Sequence, residues 1–166
     1  MTENRLWATW RMSYITQSDK PKGCIFCDKP KENNDEENLI LYRGENCFTI
    51  MNLYPYNNGH VMVIPYRHIA DITQLSYDET AEMMEQMKML VSVMKKTMNP
   101  EGFNSGINMG RPAGAGIADH LHMHLVPRWT GDTNFMTSIG ETRVISEHIM
   151  ETYYKLLNAI KNEVKQ

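Results

Sequence analysis

Residues 119–129 read DHLHMHLVPRW, with His120, His122 and His124 alternating with Leu121, Met123 and Leu125. Side chains on a strand repeat every second residue, so this alternation sets three imidazoles on one face and sends the apolar side chains to the other. The stretch His120 to Val126 therefore reads as a half-buried strand. Histidine is not a strand-favouring residue, and three in a row on one face point to chemistry rather than packing. Two chemistries suit them. Imidazoles at this spacing can share a metal ion. Alternatively, one neutral imidazole can attack phosphorus near pH 7, provided its other nitrogen is held by a hydrogen bond.

The segment just upstream, Gly110 to Gly116 (GRPAGAG), bears on that choice. Glycines let backbone N–H groups turn inward and hold phosphate oxygens without side-chain obstruction. A glycine loop alone is a weak sign; beside three co-facial imidazoles it reads as a phosphate cradle next to a nucleophile.

Working outward, Leu39 to Tyr42 and Cys47 to Leu53 read as strands joined by a short turn, and His60 to Pro65 as a third strand after the turn Asn57-Asn58-Gly59. Ser76 and Glu79 form a capping-box signature at the start of a helix from Tyr77 to Met98, which ends at Asn99-Pro100. Its Met83, Met87, Leu90, Val91 and Met94 share one face, which suits either the core or a dimer seam. Phe103 to Met109 is a further strand, and Ser146 to Val164 a final amphipathic helix. The order β-β-β-α-β-β-α describes an α+β class, an antiparallel sheet of about five strands with two main helices. Residues 1–22, with Leu6, Trp7, Trp10, Met12 and Tyr14, read as an arm packed on the body. Residues 23–166 read as one domain.

Composition narrows the function. The chain has 42% hydrophobic and 22% charged residues and a net charge of -3. That is ordinary for a soluble globular protein, and it gives no general attraction for a nucleic-acid backbone. No apolar run is long enough for a membrane span and MTENRLWATWRM lacks a signal-peptide core, so the expected setting is the cytoplasm, without membrane or nucleic-acid partners. Of three cysteines, Cys24 and Cys27 form a CxxC pair followed by the polar stretch Lys31 to Asn38, which reads as a loop. The pair suits a metal clamp better than a redox motif, which belongs at a helix start. Cys47, inside a strand, reads as a core residue.

The triad HLHMHLV resembles the His-φ-His-φ-His-φ-φ pattern (φ apolar) of the histidine-triad, or HIT, superfamily. NLYPYNNGHVMVIPYRHI (residues 52–69) is similar to the same family's strand pair around a Gly-His turn. VPRWTGDTNF, NMGRPAGAGIADH and RLWATWRMSYI resemble its bacterial diadenosine tetraphosphate phosphorylase, or ATP adenylyltransferase-like, branch. The resemblance implies a HIT-like fold and an enzyme that transfers nucleotidyl groups through a covalent AMP-histidine intermediate. His122 would be the nucleophile, and His124 a contact to phosphate and leaving group. His60 would orient the triad, Asn52 would meet the ribose and Asn108 the phosphate or ribose. The loop residues Gly114, Ala115, Gly116 and Ile117 would cradle phosphate. Asn52 and His60 also have plainer readings, as a strand end and a satisfied core histidine.

Gly116 departs from the hydrolase and phosphoramidase branches, which usually carry Gln four residues before the first triad histidine. A small residue there fits phosphorolysis better: diadenosine tetraphosphate and phosphate giving ADP and ATP. The alternatives are hydrolysis of dinucleoside polyphosphates or nucleoside phosphoramidates and, in another class, a nucleotide-binding scaffold with little turnover. The family's metal pattern implies structural zinc on Cys24, Cys27, His68 and His120, with no open coordination position. It also implies a homodimer.

Overall fold

The structure is a computed structural model that describes residues 23–133, 135–139 and 145–165; the expected arm over residues 1–22 lies outside the described residues. Five strands, β1 (Ile40–Arg43), β2 (Cys47–Met51), β3 (Val61–Pro65), β4 (Gly102–Ile107) and β5 (Met123–Arg128), form one sheet in the order β1-β2-β3-β5-β4. Every neighbouring pair is antiparallel. The helical elements are one-turn α1 (Ile25–Asp28) and α2 (Asp35–Asn38), long α3 (Tyr77–Met98), short α4 (Phe135–Ser138) and α5 (Ile149–Glu163). The α+β architecture with two main helices is as expected.

Helix α3 starts where the sequence places it. Ser76 Oγ accepts from the Glu79 N–H at 3.1 Å, and the Glu79 carboxylate accepts from the Ser76 N–H at 2.7 Å. It stops at Asn99, which turns left-handed (φ 47°) ahead of Pro100. Met83, Met87, Leu90, Val93 and Met94 are buried in the chain's own core, so the methionine face packs inward. Methionine's unbranched side chain fills such irregular space without strain.

Several boundaries differ from expectation. The last strand begins at Met123, and His120 to His122 lie ahead of it, His120 in a bend and the next two residues outside any regular element. The β3–β5 register pairs Val63 with Met123 and would bring Pro65 opposite Leu121. Proline has no N–H to continue the ladder, and the Leu121 N–H turns instead to the Ile69 carbonyl at 2.6 Å. The stretch after the CxxC pair is not a plain loop but contains a 3-10 turn (Lys29–Lys31) and α2. The final helix starts at Ile149, capped by His148 rather than Ser146, with His148 Nδ1 accepting from the Met150 N–H.

The sheet's two faces separate packing from chemistry. Thr49 donates its hydroxyl to Gln86 of α3, and the register places Val63 and Met123 on the same side as Thr49. Leu125, two residues on, shares that face and belongs to the core cluster. His124, paired with Met62, therefore lies on the face away from α3.

Candidate active site

Four histidines, His60, His120, His122 and His124, are buried together on that second face. Removing imidazole from water disfavours its charged form. Burial, with the neighbouring His124 and His122 adding to it, pushes His60 down to about 3; burial and His122 push His124 down to about 4. Burial also lowers His120 and His122, partly offset by hydrogen bonds to backbone carbonyls. The rings are neutral near pH 7, and each neutral ring has one N–H and one lone pair.

The hydrogen-bond partners decide which nitrogen carries the proton. The Tyr56 N–H donates to His60 Nδ1 at 3.1 Å, and the Asn52 amide nitrogen lies 3.2 Å from the same atom. His60 Nδ1 is therefore the acceptor, and His60 Nε2–H donates to His124 Nδ1 at 2.9 Å. That in turn places the His124 proton on Nε2, a buried atom without a hydrogen-bond partner among the described residues. A buried donor left unsatisfied costs about 1–3 kcal/mol, which marks it as open to an acceptor beyond the described residues.

His122 is fixed differently. Its Nδ1 lies 2.8 Å from the His120 carbonyl, which can only accept, so Nδ1 carries the hydrogen and Nε2 the lone pair. The two rings meet edge to face, 4.9 Å between centroids, and Phe26 packs on His122 from the CxxC segment at 5.2 Å. One ring thus offers a lone pair and its neighbour an N–H.

His120 belongs to a second constellation. Its Nε2 donates to the Pro65 carbonyl at 2.9 Å, which turns the Nδ1 lone pair toward Cys24 Sγ at 3.2 Å and Cys27 Sγ at 3.5 Å. His68 Nδ1 is 3.3 Å from Cys27 Sγ, and the four ligand atoms lie within 4.8 Å of one another. A tetrahedral ion with bonds of the usual length would hold its ligands roughly 3.6 Å apart, so the donor set would close on a metal with side-chain adjustments of about an ångström. Burial and the adjacent Cys24 raise the Cys27 thiol, a penalty that a bound cation would reverse. The pair does sit at a helix start, contrary to the expectation, with Cys24 as the N-cap of α1; that helix is one turn long and both thiols face imidazoles. Cys47 is fully buried in the core, its thiol pushed up to about 12 by burial and by Glu82 and Glu79.

The remaining expected residues are placed unevenly. Asn52 follows β2 and its side-chain oxygen accepts from the Tyr54 N–H, tying it into the turn that also holds His60. Asn108 follows Ile107, which pairs with Met123, and so stands at the His122 end of the ladder. Within the glycine loop, the N–H groups of Gly114 and Ala115 are engaged by the Arg111 and Gly110 carbonyls, so these residues shape the loop. Gly114 adopts φ 93°, a conformation that favours glycine. Gly116 is exposed and Ile117 half-buried. Tyr56, Phe26 and the Pro65 carbonyl were not legible beforehand, because they act through tertiary contacts and backbone atoms that leave no spacing signature.

The sequence profile of the HIT domain matches residues 33–131. The chain belongs to the HIT family. An "AP-4-A phosphorylase" of Mycobacterium tuberculosis is 39% identical over 155 residues, covering 89% of this chain and 80% of that protein. Among solved structures, a Zn-bound histidine triad family protein from Mycobacterium smegmatis aligns with a TM-score of 0.70 at 25% identity, over 86% of this chain and 96% of its own. A hypothetical histidine triad nucleotide-binding protein from Sulfolobus tokodaii aligns at 0.65 and 28% identity, over 86% and 92%. Among the described residues of this HIT protein, no helix is long and apolar enough to cross a membrane.

Proposed function

We propose that this HIT protein is an enzyme that transfers nucleotidyl groups from dinucleoside polyphosphates to inorganic phosphate. The observation that carries the reading is the pair of fixed tautomers: a lone pair on His122 Nε2 beside an N–H on His124 Nε2 that has no partner among the described residues. The 39% identical AP-4-A phosphorylase supports the substrate class.

In this reading His122 Nε2 attacks an α-phosphorus of diadenosine tetraphosphate. The bond from that phosphorus to the bridging oxygen breaks, ATP departs, and AMP remains on His122 through a P–N bond. His124 Nε2–H donates to the bridging oxygen as charge develops there, and the His120 carbonyl stabilises the positive charge that the His122 ring acquires. Phosphate then attacks the same phosphorus, the P–N bond breaks, and ADP leaves with His122 restored. Asn52 and Asn108 would contact the ribose and phosphates, and the N–H groups of Gly116 and Ile117 would serve as backbone donors. With no side-chain amide at position 116, the site lacks one means of holding a water, which favours phosphate as acceptor.

The metal in this reading is zinc, held by Cys24, Cys27, His68 and His120 as a structural ion. These ligands would hold the ion, and His120, so anchored, would keep its carbonyl on His122. The enzyme would work as a homodimer, because β4 ends the sheet with an edge that no described strand covers and that a second copy could pair with. Light scattering of the purified chain should give twice the monomer mass.

Incubation with diadenosine tetraphosphate, with and without phosphate, tests the reaction. ADP and ATP should form only with phosphate. AMP formed in its absence means hydrolysis, and no turnover of any dinucleotide or phosphoramidate means a binding protein.

A further inference from the structure

The reaction above gives Tyr56 no part, yet it touches the donor relay twice. Its ring lies 4.7 Å from the His60 ring at 32° and 5.9 Å from the His124 ring at 35°. Its backbone N–H is the donor that settles the His60 tautomer. Tyr56 is 37% exposed whereas His60 is 0% and His124 9% exposed, so its ring is an outer layer over an inner pair. The turn that carries it is anchored: Asn57 Nδ2 donates to the Pro127 carbonyl at 3.1 Å and to Asp132 at 2.8 Å.

We propose that Tyr56 is a positioning residue for His124: its ring roofs the His60–His124 pair while its N–H pins His60, so that His124 presents Nε2–H to the leaving group. The inference rests on the proposed role of His124 as that donor. A neutral imidazole exposed to water exchanges tautomers and gains a proton more readily; either event removes the single directed N–H. An aromatic face excludes water from the rings without competing for their hydrogen bonds, which a polar side chain would do. The groups facing the pair are His122 just ahead of β5, Asn52 just after β2, and Tyr56 itself; the charges acting on His60 and His124 are those of the imidazoles. Loss of the roof should therefore register in the imidazoles before anything else.

The test compares Tyr56→Phe and Tyr56→Ala in the full chain, reading the ring nitrogens of His124 by NMR as a function of pH, together with kcat and KM for diadenosine tetraphosphate with phosphate. The alanine variant should show His124 gaining its proton at higher pH and a mixture of tautomers. Its kcat should fall about tenfold with KM changed by less than about twofold. The phenylalanine variant should match the wild type in both, because the ring face and not the hydroxyl is what acts. Should the alanine variant not fold, Tyr56→Gln, which admits water at similar length, is read the same way. Unchanged His124 titration in the open variants overturns the inference, as does a phenylalanine variant as impaired as alanine. If the wild type turns over no dinucleotide, the functional reading fails, while the NMR titration still decides the role of Tyr56.

Discussion

At the scale of single residues the site is a set of assigned protons. His122 donates through Nδ1 to a carbonyl that never lets go of its acceptor role, and this leaves Nε2 as the sole nucleophilic atom. His122→Ala should therefore abolish the labelled AMP adduct on the protein and cut kcat by about 10⁴-fold or more, with nucleotide affinity retained. An adduct surviving in that variant would place the nucleophile elsewhere. The His60–His124 pair makes a second prediction, on stability. Both fold with pKa values, about 3 and about 4, below the ordinary 6.5, so the folded chain binds fewer protons than the unfolded one between those limits. Stability then rises with pH: it is complete above about pH 6.5 and declines by several kcal/mol as pH falls toward 4. Urea midpoints at pH 7, 5.5 and 4 should fall accordingly, and the slope should flatten in His60→Gln. A wild-type midpoint that does not move over this range contradicts the buried neutral pair.

At the scale of elements, the turn between β2 and β3 governs how His60 meets the triad. Gly59 there adopts φ 75°, and a Cβ would come 2.8 Å from Met98 Cε. Gly59→Ala should destabilise the chain by about 1–3 kcal/mol, through left-handed strain and a displaced Met98. A thermal melt equal to that of the wild type would show that the turn can relax without moving His60. Sequence legibility also divides at this scale. The capping box of α3 and the left-handed Asn99 before Pro100 act locally, and both ends of that helix were readable for that reason. The strand through the histidines was readable in its alternation but not in its start, because the stop comes from Pro65 on another strand. The spacing of the CxxC pair suggested a metal clamp, with its histidine partners supplied by the family resemblance, yet its place at α1 was hidden in four residues too few to show a helical period. The start of the last helix escaped for another reason: its N-cap is His148, a residue type rarely found there, and an apolar period alone does not fix where a helix begins. The tautomer relay was out of reach altogether: it depends on which ring nitrogen faces which backbone atom.

For the whole molecule, the thiol–imidazole cluster ties the N-terminal segment to the middle of the sheet. Cys24 and His120 stand 96 residues apart in the chain, and Cys27 and His68 stand 41 apart. A bound metal closes both loops at once. In the unfolded chain a cross-link over about a hundred residues removes conformational freedom equivalent to about 4–5 kcal/mol, an upper figure for a bond that can dissociate. An ion bound there would hold His120 from one side while Pro65 holds it from the other, so its loss should loosen the carbonyl that orients His122. Removal of the metal with a strong chelator should lower Tm by about 5–15 °C in a chain of this size, and one equivalent of zinc should restore it. Cys27→Ser should reproduce the lowered Tm, bind less than one equivalent by metal analysis, and respond little to added zinc. The cluster lies behind the nucleophile rather than on its lone-pair nitrogen, so metal loss should reduce kcat chiefly by freeing the His122 tautomer. The NMR signals of His122 should then broaden or split in step with Tm. If the metal-free protein keeps both its melting temperature and a single His122 tautomer, the clamp has no part in holding the triad.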